Sequence, residues 1–356
     1  MRRLDVVVVG GGPAGSACAL KCVEQGFETL LLEKAGRWRH KVCGGVTPTV
    51  SKDLLEAELG LTIPTSVLAS PSELGLFYVP PSGRENSGAV RNCKLLNLRR
   101  DLFDQWLRDE AERRGTEVLY DSELLRFEAG EMIRVVARSA GRSEVFEARY
   151  LVGADGAAST VRSQILPNLQ LRMLIVAQES WKATGELDDY FYVFFRDEVS
   201  PVYGYVIPKD DRFLLGVGAL KGGPVRLTLC AARLREWLSR EFSFRTIHLE
   251  RREVSLILFD APPEGCGSVV LAGDAGGFCN PFSGEGIRLA VESGIAATEA
   301  AKLAEQKGED LASVYKCRVD WLREFVLKMR ELGESLDDDG KEAFVKTELS
   351  RSYFSG

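Results

Sequence analysis

The 356-residue sequence predicts an α/β fold with an α+β insert: a Rossmann-like dinucleotide-binding domain, an inserted and mostly antiparallel sheet, and C-terminal helices. Three observations predict it. The chain opens on an apolar strand, a glycine turn, a small-residue helix and a second strand ending in an acid. Two later apolar runs each end in a glycine-flanked aspartate. Between those aspartates the pattern is that of short strands, and beyond the second it is helical.

The opening unit is the strongest signal. Leu4 to Val9 reads as a buried strand, and Gly10-Gly11-Gly12-Pro13-Ala14-Gly15 as a turn into a helix. Gly10 permits the turn, Gly12 lets backbone approach a diphosphate, and Gly15 lets the helix pack close to the sheet. The helix start offers unpaired N–H groups to phosphate oxygens. Glu33, after Leu30-Leu31-Leu32, is placed to accept both hydroxyls of an adenosine ribose. A carboxylate there repels a 2′-phosphate, so these residues point to FAD or NAD and away from NADP.

Composition narrows the class. Hydrophobic residues make up 45% and charged residues 28%, as in an ordinary globular protein large enough for two domains. The net charge of −6 gives no reason to expect nucleic-acid binding. No apolar run is long enough to span a bilayer. Met1-Arg2-Arg3 leads straight into the strand, so a cleaved signal peptide is not expected. The 8 cysteines form no C-x-x-C pair. Cys18 and Cys22 sit four apart on the first helix and read as packing residues. With His40 and His248 the only histidines, no metal site is expected. A reduced, cytoplasmic protein is the expectation.

The remaining elements follow in order. Lys41-Val42-Cys43-Gly44-Gly45 is a glycine-containing loop, and Leu74 to Val79 a strand among Pro, Ser and Gly. Leu102, Phe103, Trp106, Leu107 and Ala111 recur at helical spacing before Gly115. Residues 117–152 read as short strands, the last running into Gly153-Ala154-Asp155-Gly156. Strand-like segments fill 170–260, interrupted by one helix at about 225–241. Val269 to Leu271 leads into Gly273-Asp274, and helices follow from 284. The expected division places 1–65, 94–165 and 262–356 in a discontinuous FAD-binding domain with the C-terminal helices, and 66–93 and 166–261 in a substrate domain.

The glycine turn, the Asp155-Gly156 pair and the Gly273-Asp274 pair occur in the order that marks FAD-dependent oxidoreductases built like the aromatic hydroxylases, which this chain resembles. The resemblance implies FAD. It assigns Gly10, Gly12, Pro13, Ala14, Gly15, Glu33 and Lys34 to the adenosine and diphosphate side. Gly273 and Asp274 fall toward the ribityl or diphosphate, and Gly284, Glu285, Gly286 and Ile287 toward the flavin ring, while Asp155 and Gly156 are further cofactor residues or else a strand-to-helix turn with an aspartate cap. Arg100, in Arg100-x-x-Phe103-Asp104, is a further cofactor contact or else a solvated cation at a helix start.

Within that group the chain is most similar to geranylgeranyl reductases, which saturate polyprenyl double bonds. Lys41-x-Cys43-Gly44-Gly45 looks like their loop near the flavin, and Gly273 to Ile287 like their extended glycine–aspartate segment. Tyr203-x-Tyr205-x-Ile207-Pro208 resembles their Y-x-W-x-F-P substrate motif, with Tyr205 in place of Trp and Ile207 in place of Phe. The implied chemistry is hydride transfer from reduced flavin to a double bond of a geranylgeranyl group on a lipid or quinone. Cys43, Tyr203 and Tyr205 are the candidate proton donors, Cys43 first because a thiol is ordinarily protonated at neutral pH. Phe191, Tyr192, Phe194 and Phe195 either line an apolar channel or fill a core.

Other readings stand beside this one. A monooxygenase is disfavoured by Arg288, where hydroxylases often carry Asn, and a halogenase by Gly204-Tyr205-Val206-Ile207-Pro208 in place of a tryptophan-rich segment. A non-catalytic flavin- or lipid-binding protein is the third. No second complete GxGxxG is present, since Gly216-Val217-Gly218 fails at its third glycine. Electrons would then come from NAD(P)H docking transiently or from a ferredoxin-like donor. A lipid substrate implies peripheral membrane contact, although Trp321 to Leu327 reads better as a packing helix.

Overall fold

The computed structural model describes residues 2–185 and 187–351. The chain opens with β1 (Arg2–Val9), α1 (Pro13–Glu24) and β2 (Thr29–Leu32). Next come β3 (Val46–Pro48), α2 (Val50–Leu59), β4 (Leu68–Val79), β5 (Gly88–Ala89), β6 (Leu95–Leu98) and α3 (Arg100–Arg113). Four strands follow, β7 (Glu117–Leu119), β8 (Ser122–Glu128), β9 (Ile133–Ser139) and β10 (Arg142–Gly153), then the short α4 (Thr160–Ile165). The second sheet gains β11 (Met173–Thr184), β12 (Tyr190–Phe194), β13 (Gly204–Lys209), β14 (Arg212–Leu220), α5 (Leu227–Phe242) and β15 (Arg245–Leu258). The chain returns through β16 (Gly265–Cys266) and β17 (Val269–Leu271) to α6 (Ile287–Lys307), α7 (Leu311–Ser335) and α8 (Asp338–Ser350).

The first sheet has the strand order β16-β17-β10-β1-β2-β7, with β8 and β9 hairpinned onto β10. β1 lies between β2 and β10, parallel to both, and each of its faces is buried in its own cluster, Val6 and Val8 in one and Val7 and Val9 in the other. That is why Val6 to Val9 is a continuous apolar run and not an alternating one. α1 packs on this sheet and against α6, and both helices use small residues to come close. Ala14, Ala17 and Ala19 are buried, as are Ala290, Ala297, Ala300 and Ala301. Cys18 and Cys22 lie at this contact with their sulfurs near the Thr298 hydroxyl, at 3.5 and 3.1 Å, so they pack as expected.

The second sheet runs β15-β11-β14-β13-β12-β4-β6-β3, with β5 beside β4. It is mostly antiparallel, but β12 pairs with β4 in parallel. Strands β3 and β6, which flank the first sheet's helices in sequence, extend its far edge. α5 covers one face. Tyr192 and Phe194 of β12 pack there with Trp237, Leu238 and Phe242. The alternate residues Phe191 and Val193 point the other way, so the aromatic run splits between core and cavity. In the C-terminal helices Leu322 and Val326 are buried and Trp321 faces outward, in keeping with packing. No helix among the described residues is long and apolar enough to cross a membrane.

Candidate active site

One cavity of about 740 Å³ lies between the two sheets. Its polar end begins at the glycine turn. Gly10 adopts φ of +102°, and a Cβ there would run into the Ala154 carbonyl. A Cβ on Gly15 would collide with the Gly10 carbonyl, so α1 can seat against β1 only with glycine at that position. Arg108, fully buried, donates to the Gly11 carbonyl at 2.7 Å and braces the turn from behind. Glu33, only 2% exposed, accepts from the Gly11 and Ala35 amides, each at 2.9 Å.

Every predicted cofactor residue except Gly15 lines this cavity, with Lys34 at its exposed rim. Gly15 acts behind it. The aspartates differ in what they have left to offer. Asp155 accepts from the Ser159 hydroxyl and the Thr160 and Val161 amides, which engages its carboxylate in starting α4. The Asp274 side chain has no hydrogen-bond partner among the described residues and faces the cavity, as a group reserved for hydroxyls would. Opposite it, the loop before α6 is shaped by Asn280, whose Oδ1 accepts from the Phe282 and Ser283 amides. Glu285 pairs with Arg288 at 2.7 Å, and Arg288 also binds Glu292.

Arg39 was not foreseen. Its guanidinium donates to Asp104 at 2.8 Å, and a Cβ on Gly12 would lie 3.2 Å from its NH2 group. Its Nε is buried without a hydrogen-bond partner, 3.7 Å from the Glu33 carboxylate. A cation over the glycine turn, an orphaned N–H, the acceptor Glu33 and the free Asp274 together fit the diphosphate and hydroxyls of FAD. Arg37, Arg39 and Lys41 alternate after Glu33, and that basic alternation beside an acid was the available signal.

The middle of the cavity holds Cys43. Its sulfur accepts from the Gly45 amide at 3.3 Å. Arg100 faces it and is not solvated: it is 9% exposed and forms a two-pronged pair with Asp104 at 2.9 and 3.1 Å. Burial opposes the Arg100 charge, but Asp104 and the Cys43 sulfur outweigh it and its pKa rises. Asp104 is likewise held below the carboxylate range, because Arg100, Arg39 and Arg108 overcome its own burial. Lys209 donates to the Gly44 and Leu98 carbonyls at 2.6 and 2.7 Å, fastening the Cys43 loop to β6. Burial pushes its pKa down to about 8, against the pull of Cys43 and Asp210. It closes the Tyr203–Pro208 segment in sequence, yet nothing about a lone lysine in a strand marks it as buried.

The far end is apolar, lined by Leu76, Phe191, Val193, Phe195, Ile207 and Phe282. Tyr203 and Tyr205 stand between it and Cys43. Tyr203 donates to the Ser283 carbonyl at 2.6 Å and Tyr205 to Gln178 Oε1 at 2.8 Å. Burial raises the pKa of both phenols. Among the described residues no group of three or more His, Cys, Asp or Glu is placed to hold a metal ion.

Residues 3–208 match the family described as FAD binding domain. The chain is 32% identical to the geranylgeranyl diphosphate reductase of Rhodobacter capsulatus, over 96% of this chain and 87% of that protein. It is 30% identical to protein CbrA of Escherichia coli K12, over 82% of each. A geranylgeranyl bacteriochlorophyll reductase-like protein of Thermoplasma acidophilum has the same fold, with a TM-score of 0.82 at 21% identity over 99% of this chain and 92% of that one. The flavin-dependent halogenase CmlS shares it more loosely, with a TM-score of 0.71 at 18% identity over 98% of this chain and 76% of that one. The chain therefore belongs to the geranylgeranyl reductase family of FAD-dependent oxidoreductases.

Proposed function

We propose that this protein reduces carbon–carbon double bonds of a polyprenyl group carried on a lipid or quinone. The observation that carries this reading is that Cys43 lines one continuous cavity with the glycine turn, Glu33 and Asp274 and with the apolar Leu76, Phe191 and Phe282. FAD, when bound and reduced, supplies the hydride. The chain supplies the rest. The apolar lining holds the alkene and excludes water. Glu33 takes the adenosine ribose, Asp274 a hydroxyl of the linker, and Arg39 and Arg100 the negative charge of the cofactor.

A proton must also reach the second alkene carbon. Tyr203 and Tyr205 already spend their hydroxyl hydrogens on Ser283 and Gln178, and burial holds those protons tightly. The Cys43 sulfur accepts from the Gly45 amide and faces the Arg100 guanidinium, and it donates its own hydrogen to no group among the described residues. Arg100 and Lys209 stand ready to face the thiolate that remains. On this reading Cys43 is the acid and the tyrosines shape the site.

A division into a discontinuous FAD domain and a substrate domain is supported by the two sheets that meet at the cavity, except that β3 and β6, assigned by sequence to the FAD domain, pair into the second sheet. NAD(P)H or a ferredoxin-like protein would reduce the flavin, and a lipid substrate would bring the protein to a membrane surface from the cytoplasm. The names of two relatives, a geranylgeranyl diphosphate reductase and a geranylgeranyl bacteriochlorophyll reductase-like protein, support the substrate class. The test is anaerobic incubation of chemically reduced holoprotein with geranylgeranylated lipids, followed by mass spectrometry. A gain of hydrogen pairs in the prenyl chain is expected. Substrate-stimulated oxygen uptake with an unreduced chain would replace this reading with a monooxygenase.

A further inference from the structure

Gln178 is 5% exposed and lines the cavity two residues along β11 from Val176. A buried amide in such a place is costly unless its polar atoms are satisfied. Its oxygen is satisfied, by the Tyr205 hydroxyl at 2.8 Å. Its nitrogen donates to no group among the described residues.

The sheet is built for this contact. Tyr205 on β13 is registered with Gly216 on β14, Gly216 with Gln178 on β11, and Gln178 with Glu253 on β15. Registered residues present their side chains on one face of a sheet. The Tyr205 ring lies over Gly216, where any Cβ would strike the ring and its hydroxyl. The missing side chain of Gly216 thus lets Tyr205 reach across a whole strand to Gln178. On the other side Glu253 is engaged by His40 at 2.9 Å. With Oε1 held by a donor, the amide is turned so that its NH2 group is the part left to the cavity. Tyr205 is also one of the two positions where this chain departs from the Y-x-W-x-F-P pattern.

We propose that Gln178, oriented by Tyr205, reads a hydrogen-bond-accepting oxygen on the substrate. The ligand class is a long apolar chain carrying an ether, hydroxyl or carbonyl oxygen where it passes Tyr205, and not a bare hydrocarbon. Gln178 is a specificity residue for the reaction proposed above, and the inference rests on that reading for the identity of the chain alone.

Two ligand pairs test it: geranylgeranyl methyl ether with the matching polyene hydrocarbon, and hexadecyl methyl ether with the matching alkane. Binding to oxidised holoprotein is followed through the flavin absorbance band. Within each pair the ether is expected to bind about tenfold tighter, as one added hydrogen bond allows. Gln178→Met, which keeps size and shape, should bring the ratio to unity while the hydrocarbons bind as before. Gln178→Leu is the second variant should Met fail to hold flavin. Tyr205→Phe leaves the amide free to turn and should give an intermediate ratio. Equal affinities within both pairs for the native protein overturn the proposal, as does a ratio unchanged in the Gln178 variants, or no binding of any of the four. The saturated pair contains no reducible bond. Discrimination there, with no turnover of the geranylgeranyl ether, would sink the reductase reading and leave the role of Gln178 standing.

Discussion

Cys43 concentrates the residue-scale questions. Cys43→Ser preserves the loop, and its hydroxyl is a far weaker acid than a thiol. Prenyl reduction should fall about a hundredfold or more while FAD content stays unchanged, measured by single-turnover reoxidation of the flavin. Unchanged reoxidation would remove Cys43 as the proton source. Lys209, behind the same loop, gives a pH signature. Its pKa in the folded protein is about 8, against an ordinary 10.5. Between those values the unfolded chain binds more protons than the folded one, so folding stability gains as pH rises from about 8 to 10.5. Below that window the ammonium is charged in both states and the cost of burying it is constant. The denaturant midpoint of the native protein should rise relative to that of Lys209→Met across this window, and the two should run parallel beneath it. At this scale Glu33 and Asp274 were readable because a strand end fixes where they point. Arg39, Arg108 and Lys209 were not, because their roles come from burial against segments distant in the chain.

Elements show why the glycine turn was so legible. A β1–turn–α1 unit is local, so strand, glycines and helix appear in one stretch of sequence. The close approach of α1 depends on Gly15, and Gly15→Ala forces its Cβ into the Gly10 carbonyl. The helix must then shift off the turn, and the variant should purify without its yellow colour. Retention of stoichiometric FAD would count against this account of the turn. The second sheet was legible as strands but not as an order. β12 lies parallel to β4, more than a hundred residues earlier, and no local pattern encodes that pairing. Nor did the helical tail disclose where α8 docks. Phe344 packs 5.8 Å from Phe195 and 5.2 Å from Phe282, behind the wall of the cavity. Phe344→Ala should cost about 2 kcal/mol of stability, because the ring is only half-buried, and leave FAD binding intact. Equilibrium unfolding of the holoprotein is the measurement.

For the whole molecule, the cavity is the seam between the two sheets, and both contribute its walls. A ligand bound there stabilises the assembly and not one half. Holoprotein at a free FAD concentration of about 100 Kd should be about 2.7 kcal/mol more stable than the apoprotein. The gain should appear equally by near-ultraviolet dichroism and by tryptophan fluorescence. A gain confined to one probe would mean that the sheets unfold separately.

The alternation along β12 has a consequence for how such a protein diversifies. Tyr192 and Phe194 anchor α5, while Phe191 and Val193 face the ligand. A single strand therefore partitions two selective regimes by parity. Changes on the cavity side can retune which molecules are accepted, generation by generation, while the neighbours one position away keep the scaffold intact.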